Sequence, residues 1–423
     1  MDKAIKIVLI NHSFQIKYYS RRWEIFADKH QDIDVTLLAP VEFDWYKRKE
    51  YSFGGSFTIR GEERDLNNFH VRTFRIRQHK LTGWDSPDLK SILCDIHPDV
   101  IYHIGTHNML SLKQVVKIRN SHIRDARVIA FSMRGPALNL RLKKGNAFLF
   151  LPRVVLYHYL RRRLSYIYKN VDAFFCHYPD AIRCFRTEGY NGPIYMQTQV
   201  GVNEEWFHED TTVRKEIRAR YNIPDSTFVF GSATRFSESK GVDIILRALP
   251  REGDWLYMMM GSGAEEETQR LRSLIADLGI EDKVIETGFV DWYEMAKYWN
   301  AVDCAIHVPL TTPAWEETFS LSVVQPMITR KPVIGSDSGS VPYQVGFPEM
   351  IVPEGDAKAL GDKIKWVLAH REEAKAIGGK MYERAASSFT VRHLNDMFYD
   401  TLVEDILPGR FDEGKSDMTR YKA

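Results

Sequence analysis

Short apolar runs rich in Val, Ile and aromatic residues alternate along the chain with longer stretches of helical periodicity. Residues 5–10, 35–38, 100–104, 128–132, 173–176 and 194–200 form a first series of such runs. Residues 228–232, 255–260, 284–287, 304–307, 333–336 and 350–352 form a second. Runs of this length, apolar throughout, fit strands buried on both faces, and the helical stretches between them fit crossover connections. The pattern predicts an α/β chain of two Rossmann-like, doubly wound domains with parallel sheets. Between the two series, residues 201–212 turn polar and charged, which predicts a hinge and domains over 1–206 and 207–388. Helical periodicity returns at 357–369, 372–387 and 391–406, and a helix over about 389–410 is a candidate to pack back on the first domain. Residues 409–423 lack an apolar pattern and read as a frayed tail.

The 423 residues, 44% hydrophobic and 27% charged, suffice for two cores. Fifty-eight Lys and Arg against 56 Asp and Glu leave a net charge of +2, too little of a field to argue for nucleic acid. Cys94, Cys176, Cys184 and Cys304 stand singly, which fits a reducing cytoplasm better than a disulfide scaffold. The first apolar run is interrupted by Lys6 and reads as a strand, not a signal peptide. The apolar patch 147–160 carries Pro152, Arg153 and His158 and is shorter than the roughly 20 residues that span a bilayer. Within 134–169, nine Lys or Arg and no Asp or Glu are interleaved with aromatic residues. Two readings of that strip stand level: peripheral docking on an anionic membrane surface, and a crossover helix whose arginines face water.

Open α/β sheets bind ligands at the carboxyl ends of their strands, so the chemistry belongs in the loops there. Arg235 and Lys240 share the loop after 228–232, which runs into a helix near Gly241. A guanidinium fork, a mobile ammonium and the free amides of a helix start together suit a diphosphate, although two solvated cations would look the same. Glu317 precedes a turn in which Ser320 is the candidate N-cap of a helix starting near Leu321. Its carboxylate can accept hydrogen bonds from sugar hydroxyls. Gln325, eight residues on, points back toward that helix start and so toward a ribose. A solvated acidic loop and a polar helix residue are the plainer readings of these two.

Taken together, the segments resemble the donor site of glycosyltransferase family four, whose members carry R-x4-K-G after the first strand of the second domain and E-x7-E further on. Here Arg235 to Gly241 gives the first motif in full, and Glu317 to Gln325 gives the second with Gln in place of the second Glu. Residues 200–207, 260–263, 287–290, 300–303 and 331–342 resemble the family in the same order, whereas the first domain shares little beyond its rhythm and 98–103. The resemblance implies a GT-B fold, two facing domains with an interdomain cleft. It implies a retaining enzyme that moves a hexose from a nucleotide-diphosphate donor to a hydroxyl of an unidentified glycolipid, glycan or small molecule. Front-face attack is implied, with the leaving diphosphate helping to take the acceptor proton and with no metal or other cofactor. Arg235 and Lys240 would bind the diphosphate, Glu317 the sugar and Gln325 the ribose, the first three being the catalytic set. Gly263, Gly288, Phe289, Thr318, Phe319, Ser320 and Leu321 would complete the donor side, Ser320 still capping where relatives often have Gly.

No cluster of His, Cys or paired carboxylates stands at metal-ligand spacing, and Asp303, Glu316 and Asp337 read as loop or surface carboxylates. In the first domain, His12 and Ser13 follow the first strand beside Asn11, His103 and His107 follow 100–104, and Arg134 follows 128–132. These are the acceptor-side or phosphate-side candidates, with a satisfied packing role the weightier alternative for the histidines at 103 and 107. Two other functions stay open: a nucleotide-sugar 2-epimerase of similar fold, and a non-catalytic sugar-nucleotide-binding subunit.

Overall fold

Apolar runs bury themselves most fully as central strands of parallel sheets, and two such sheets organise the chain. The computed structural model describes residues 4–44, 58–79, 83–105, 109–132, 159, 161–312 and 315–409. The chain divides into two units: the described residues up to Gln199 with those from Asn395 onward, and Val200–Leu394.

In the first unit, eight strands lie in the order Ile194–Met196, Ala173–Cys176, Arg127–Ser132, Val100–Ile104, Ile5–Ile10, Ile33–Pro40, Phe69–Phe74 and Arg64–Leu66. All neighbours are parallel except the last pair. The final two strands do not stand out in the sequence, because His70 and Arg72 break the apolar run where one side of the sheet edge stays polar. Trp23 and Phe26, from the helix Lys17–Lys29, pack against Phe398, whose ring stacks on Tyr102 with centroids 5.4 Å apart. Phe398, Leu402 and Ile406 are thus buried members of the first core, although they follow the whole second unit in sequence. The buried Arg22 guanidinium reinforces this return, donating to Asn395 Oδ1 at 3.0 Å and to the Thr198 carbonyl at 2.8 Å.

The second unit holds six parallel strands in the order Val284–Gly288, Trp255–Met260, Phe228–Ala233, Cys304–His307, Val333–Ser336 and Ile351–Val352. The boundary falls after Gln199 and not at 206/207, because Val202 joins the second unit by exchanging backbone bonds with Phe389 and Val391 at 2.9 Å each. Asp303, expected as a loop carboxylate, ties this unit together: it accepts from Arg214 and the buried Arg218 at 2.6 Å each and from the Val229 amide at 2.8 Å.

Removing the Phe398 ring leaves a hole among four aromatic side chains. Phe398→Ala is expected to destabilise the first unit by about 3–5 kcal/mol in urea unfolding. A loss below about 1 kcal/mol would mean that the returning helix only flanks the core.

Candidate functional site

The strands Phe228–Ala233 and Cys304–His307 are neighbours in the second sheet, and the strand order runs away from them in opposite directions. At such a switch point the loops leaving the carboxyl ends diverge and open a crevice. The loop after the first strand carries Arg235 and Lys240, and the loop after the second carries Trp315 and Glu317.

The first loop is held by its neighbours. Thr234 and Phe236 amides donate to the carbonyls of Met260 and Ser262 at 2.9 Å each, and the Gly261 amide donates to Gly288 O at 2.9 Å. Gly261, at φ +144°, lies so close that a Cβ there would sit 1.9 Å from Thr234 O, so only glycine fits. Gly263 bridges Phe236, and beside Gly288 the Phe289 side chain is 58% exposed. Lys240 does not lead straight into an α-helix. It ends a 3-10 turn, Glu238–Lys240, and the helix Val242–Ala248 begins after Gly241.

Lys240 Nζ lies 2.7 Å from Glu317 Oε2 and 4.2 Å from the centroid of the Trp315 ring. His307 Nε2 lies 3.3 Å from the same carboxylate oxygen. Glu317 is only 6% exposed and His307 5%. Burial alone would raise the Glu317 carboxyl, but the Lys240 charge and the His307 hydrogen bond outweigh it and hold the group down at about 2. Burial pushes the His307 imidazole below its usual value. A neutral imidazole facing an ionised carboxylate oxygen must carry its proton on Nε2, because that oxygen can only accept. Among the described residues Glu317 Oε1 has no partner, so an acceptor atom stays available to a ligand hydroxyl.

Ser320 does stand at the N-cap of the helix Leu321–Ile328, but its hydroxyl makes no cap bond. Gln344 holds the backbone of the N-cap residue: its Oε1 accepts from the Ser320 amide at 2.9 Å and its Nε2 donates to the Ser320 carbonyl at 3.0 Å. The Glu317 carbonyl accepts from the Ser340 amide at 2.8 Å. Gln325 is 4% exposed, and its Oε1 accepts from the buried Trp299 indole at 3.2 Å. Thr318, Phe319 and Leu321 are half-buried, Phe319 against Phe389 with ring centroids 5.7 Å apart.

In the first unit, His12 is buried and stacks on Phe43 at 4.4 Å, and the Ser13 amide donates to Asn11 Oδ1 at 2.9 Å. His103 is fully buried and bonded to Ser111 Oγ at 2.8 Å, a packing arrangement that leaves it no surface for an acceptor. His107, Arg134 and residues 134–158 and 160 of the basic strip lie outside the described residues; of the strip's nine cations, Arg161, Arg162 and Lys169 are described and exposed, and Arg163 is described and buried. Sequence reasoning passed over His307, Trp315 and Gln344; the one available signal was His307 at the carboxyl end of an expected strand, ten residues before Glu317. Among the described residues, no group of three or more His, Cys, Asp or Glu side chains gathers as a metal site, and no helix is long and apolar enough to cross a membrane.

Residues 213–384 match the family model of glycosyl transferases group 1. The GDP-mannose-dependent alpha-(1-6)-phosphatidylinositol monomannoside mannosyltransferase of Mycobacterium tuberculosis is 28% identical over 186 residues, 42% of this chain and 48% of that protein. The chain thus spans about half the length of the curated relatives it matches. Among solved structures, sucrose-phosphate synthase from Thermosynechococcus elongatus superposes with a TM-score of 0.68 at 17% identity, over 94% of this chain and 99% of that one. Anabaena HepE in complex with UDP and glucose gives 0.65 at 15% identity, over 95% and 100%. The chain has the GT-B fold, and its residues 213–384 are a match to glycosyl transferases group 1.

Proposed function

We propose that the protein is a retaining glycosyltransferase that moves a hexose from a nucleoside diphosphate sugar to an acceptor hydroxyl. The observation that carries this reading is the Lys240–Glu317 pair at the switch point of the second sheet, with one carboxylate oxygen engaged by the protein and the other open. The names of the relatives support it: one uses GDP-mannose, and HepE binds UDP and glucose.

In this reading, Lys240 has donors beyond the one given to Glu317 and offers them, with Arg235, to the diphosphate, while Oε1 of Glu317 accepts from a hexose hydroxyl. As the sugar C1–O bond breaks, these cations balance the negative charge growing on the leaving phosphate. The acceptor oxygen bonds C1 on the same face, and its proton passes to the departing phosphate oxygen. Configuration is kept, and no metal is called for. The basic strip 134–169 would bring a membrane-bound acceptor to the enzyme from the cytoplasmic side, so flotation with anionic but not neutral liposomes is expected, lost in high salt.

A thermal-shift panel of UDP, GDP, ADP, CMP and dTDP, each with its sugar conjugates, is expected to show stabilisation by one nucleotide family. Transfer from that donor is expected to persist in EDTA, and Lys240→Ala to lower turnover about a hundredfold or more. Wild-type turnover in that variant would remove Lys240 from the site. Formation of an epimeric sugar nucleotide without acceptor, seen by NMR, would favour an epimerase.

The Glu317 carboxyl also sets a pH window. Held at about 2 against an ordinary 4.5, it contributes stability that is complete above pH 4.5 and is lost as pH falls toward 2. The stability advantage of wild type over Glu317→Gln in denaturant melts is expected to shrink by on the order of 3 kcal/mol across that interval. A pH-independent difference would show that the carboxylate is not paired in solution.

A further inference from the structure

We propose that His307 is a positioning residue for the hexose site, its ring N–H fixing one oxygen of Glu317 so that the other is turned to the sugar. This role rests on the glycosyltransferase reading above and adds to it a residue that never touches the ligand.

The two oxygens of a carboxylate are equivalent, and which of them meets a ligand depends on what holds the other. Lys240 by itself is a poor holder: its ammonium is a point charge with rotatable donors on a flexible stem, and it follows the carboxylate as readily as it directs it. His307 differs because it ends a buried strand, Cys304–His307, whose pairing with Val333–Ser336 runs right to this residue, His307 opposite Gly335. Its ring therefore comes from the rigid sheet and not from a loop. Both donors converge on Oε2, Nζ at 2.7 Å and Nε2 at 3.3 Å. Two donors on one oxygen restrain the carboxylate more than the mobile ammonium could by itself. The Trp315 ring lies against the ammonium as well, 4.2 Å from Nζ to the ring centroid, and limits the swing of Lys240. Oε1 is left with no partner among the described residues although the side chain is only 8% exposed, so a ligand hydroxyl can reach an acceptor that the protein leaves unused.

In this role His307 acts chiefly on the sugar end of the donor, through Glu317, and the test uses that. UDP against UDP-glucose and GDP against GDP-mannose are titrated calorimetrically into wild type, His307→Leu, His307→Gln and His307→Asn. A Gln amide N–H reaches the place of Nε2, and an Asn amide reaches only that of Nδ1. The expected result is that His307→Leu and His307→Asn bind the nucleoside diphosphate within about twofold of wild type but bind the matching nucleotide sugar about tenfold more weakly, with His307→Gln regaining most of that loss. The kcat for transfer should fall in the same order. Should His307→Leu fail to fold, the Gln and Asn variants carry the comparison alone. Undiminished nucleotide-sugar affinity in His307→Leu or His307→Asn, or equal weakening of both ligands, overturns the role of His307 while leaving the transferase reading intact. If wild type binds neither pair of ligands, the donor site itself falls and this role with it.

Discussion

A carboxylate buried as deeply as that of Glu317 is tolerated only beside a cation, since an unpaired charge in that environment would be driven to protonate. The arrangement of the second unit follows from meeting that demand with Lys240. Two loops have to converge, and they can because they leave adjacent strands, paired through Phe230 with Cys304 and Gly231 with Ala305. Where they meet, backbones approach too closely for side chains. Gly241, at φ +65°, faces Val308 O where a Cβ would sit 2.2 Å away, and Gly339, at φ +52°, faces Glu317 O where it would sit 2.1 Å away. Those two glycines let the charged pair form and hold the chain segment behind the acid.

The pair is embedded in a lattice that reaches well beyond the site. Leu310 donates to the Ser239 carbonyl at 2.9 Å, lacing the two loops along their length. Thr311 bonds Ser338 through their hydroxyls at 2.8 Å and Glu354 at 2.8 Å, which ties the loop of Trp315 and Glu317 to the turns after the next two strands. Rigid support of this kind is what a site built from long, flexible side chains needs, because the charges must already be aimed when charge develops on a ligand.

Much of the fold was legible because parallel strands buried on both faces write themselves as unbroken apolar runs; Trp255–Met260 and Cys304–His307 match the expected residues at both ends. Phe69–Phe74 was not, since a strand near an edge mixes His70 and Arg72 into its pattern. In the site, the contact between Lys240 and Glu317 agrees with their placement in loops after neighbouring strands. What the sequence concealed was the choice of partner across space. Nothing local in Gln325 tells that Trp299, on another helix, donates to its oxygen, and nothing in Ser320 tells that Gln344 grips its backbone while its own hydroxyl makes no cap bond. His103 looks from its position like a residue at the mouth of a strand, but Ser111, one helix on, draws it inward.

Phe398, Leu402 and Ile406, synthesised only after the whole of Val200–Leu394, complete the first core. A nascent chain emerging residue by residue therefore presents its amino-terminal sheet with an unfilled apolar hollow throughout translation of the second unit. The six-stranded domain has all its own residues in hand sooner and is free to reach its native state while its predecessor waits. Early exposure of Trp23, Phe26 and Tyr102 to the ribosome surface or to a chaperone is the physical consequence of that delayed closure.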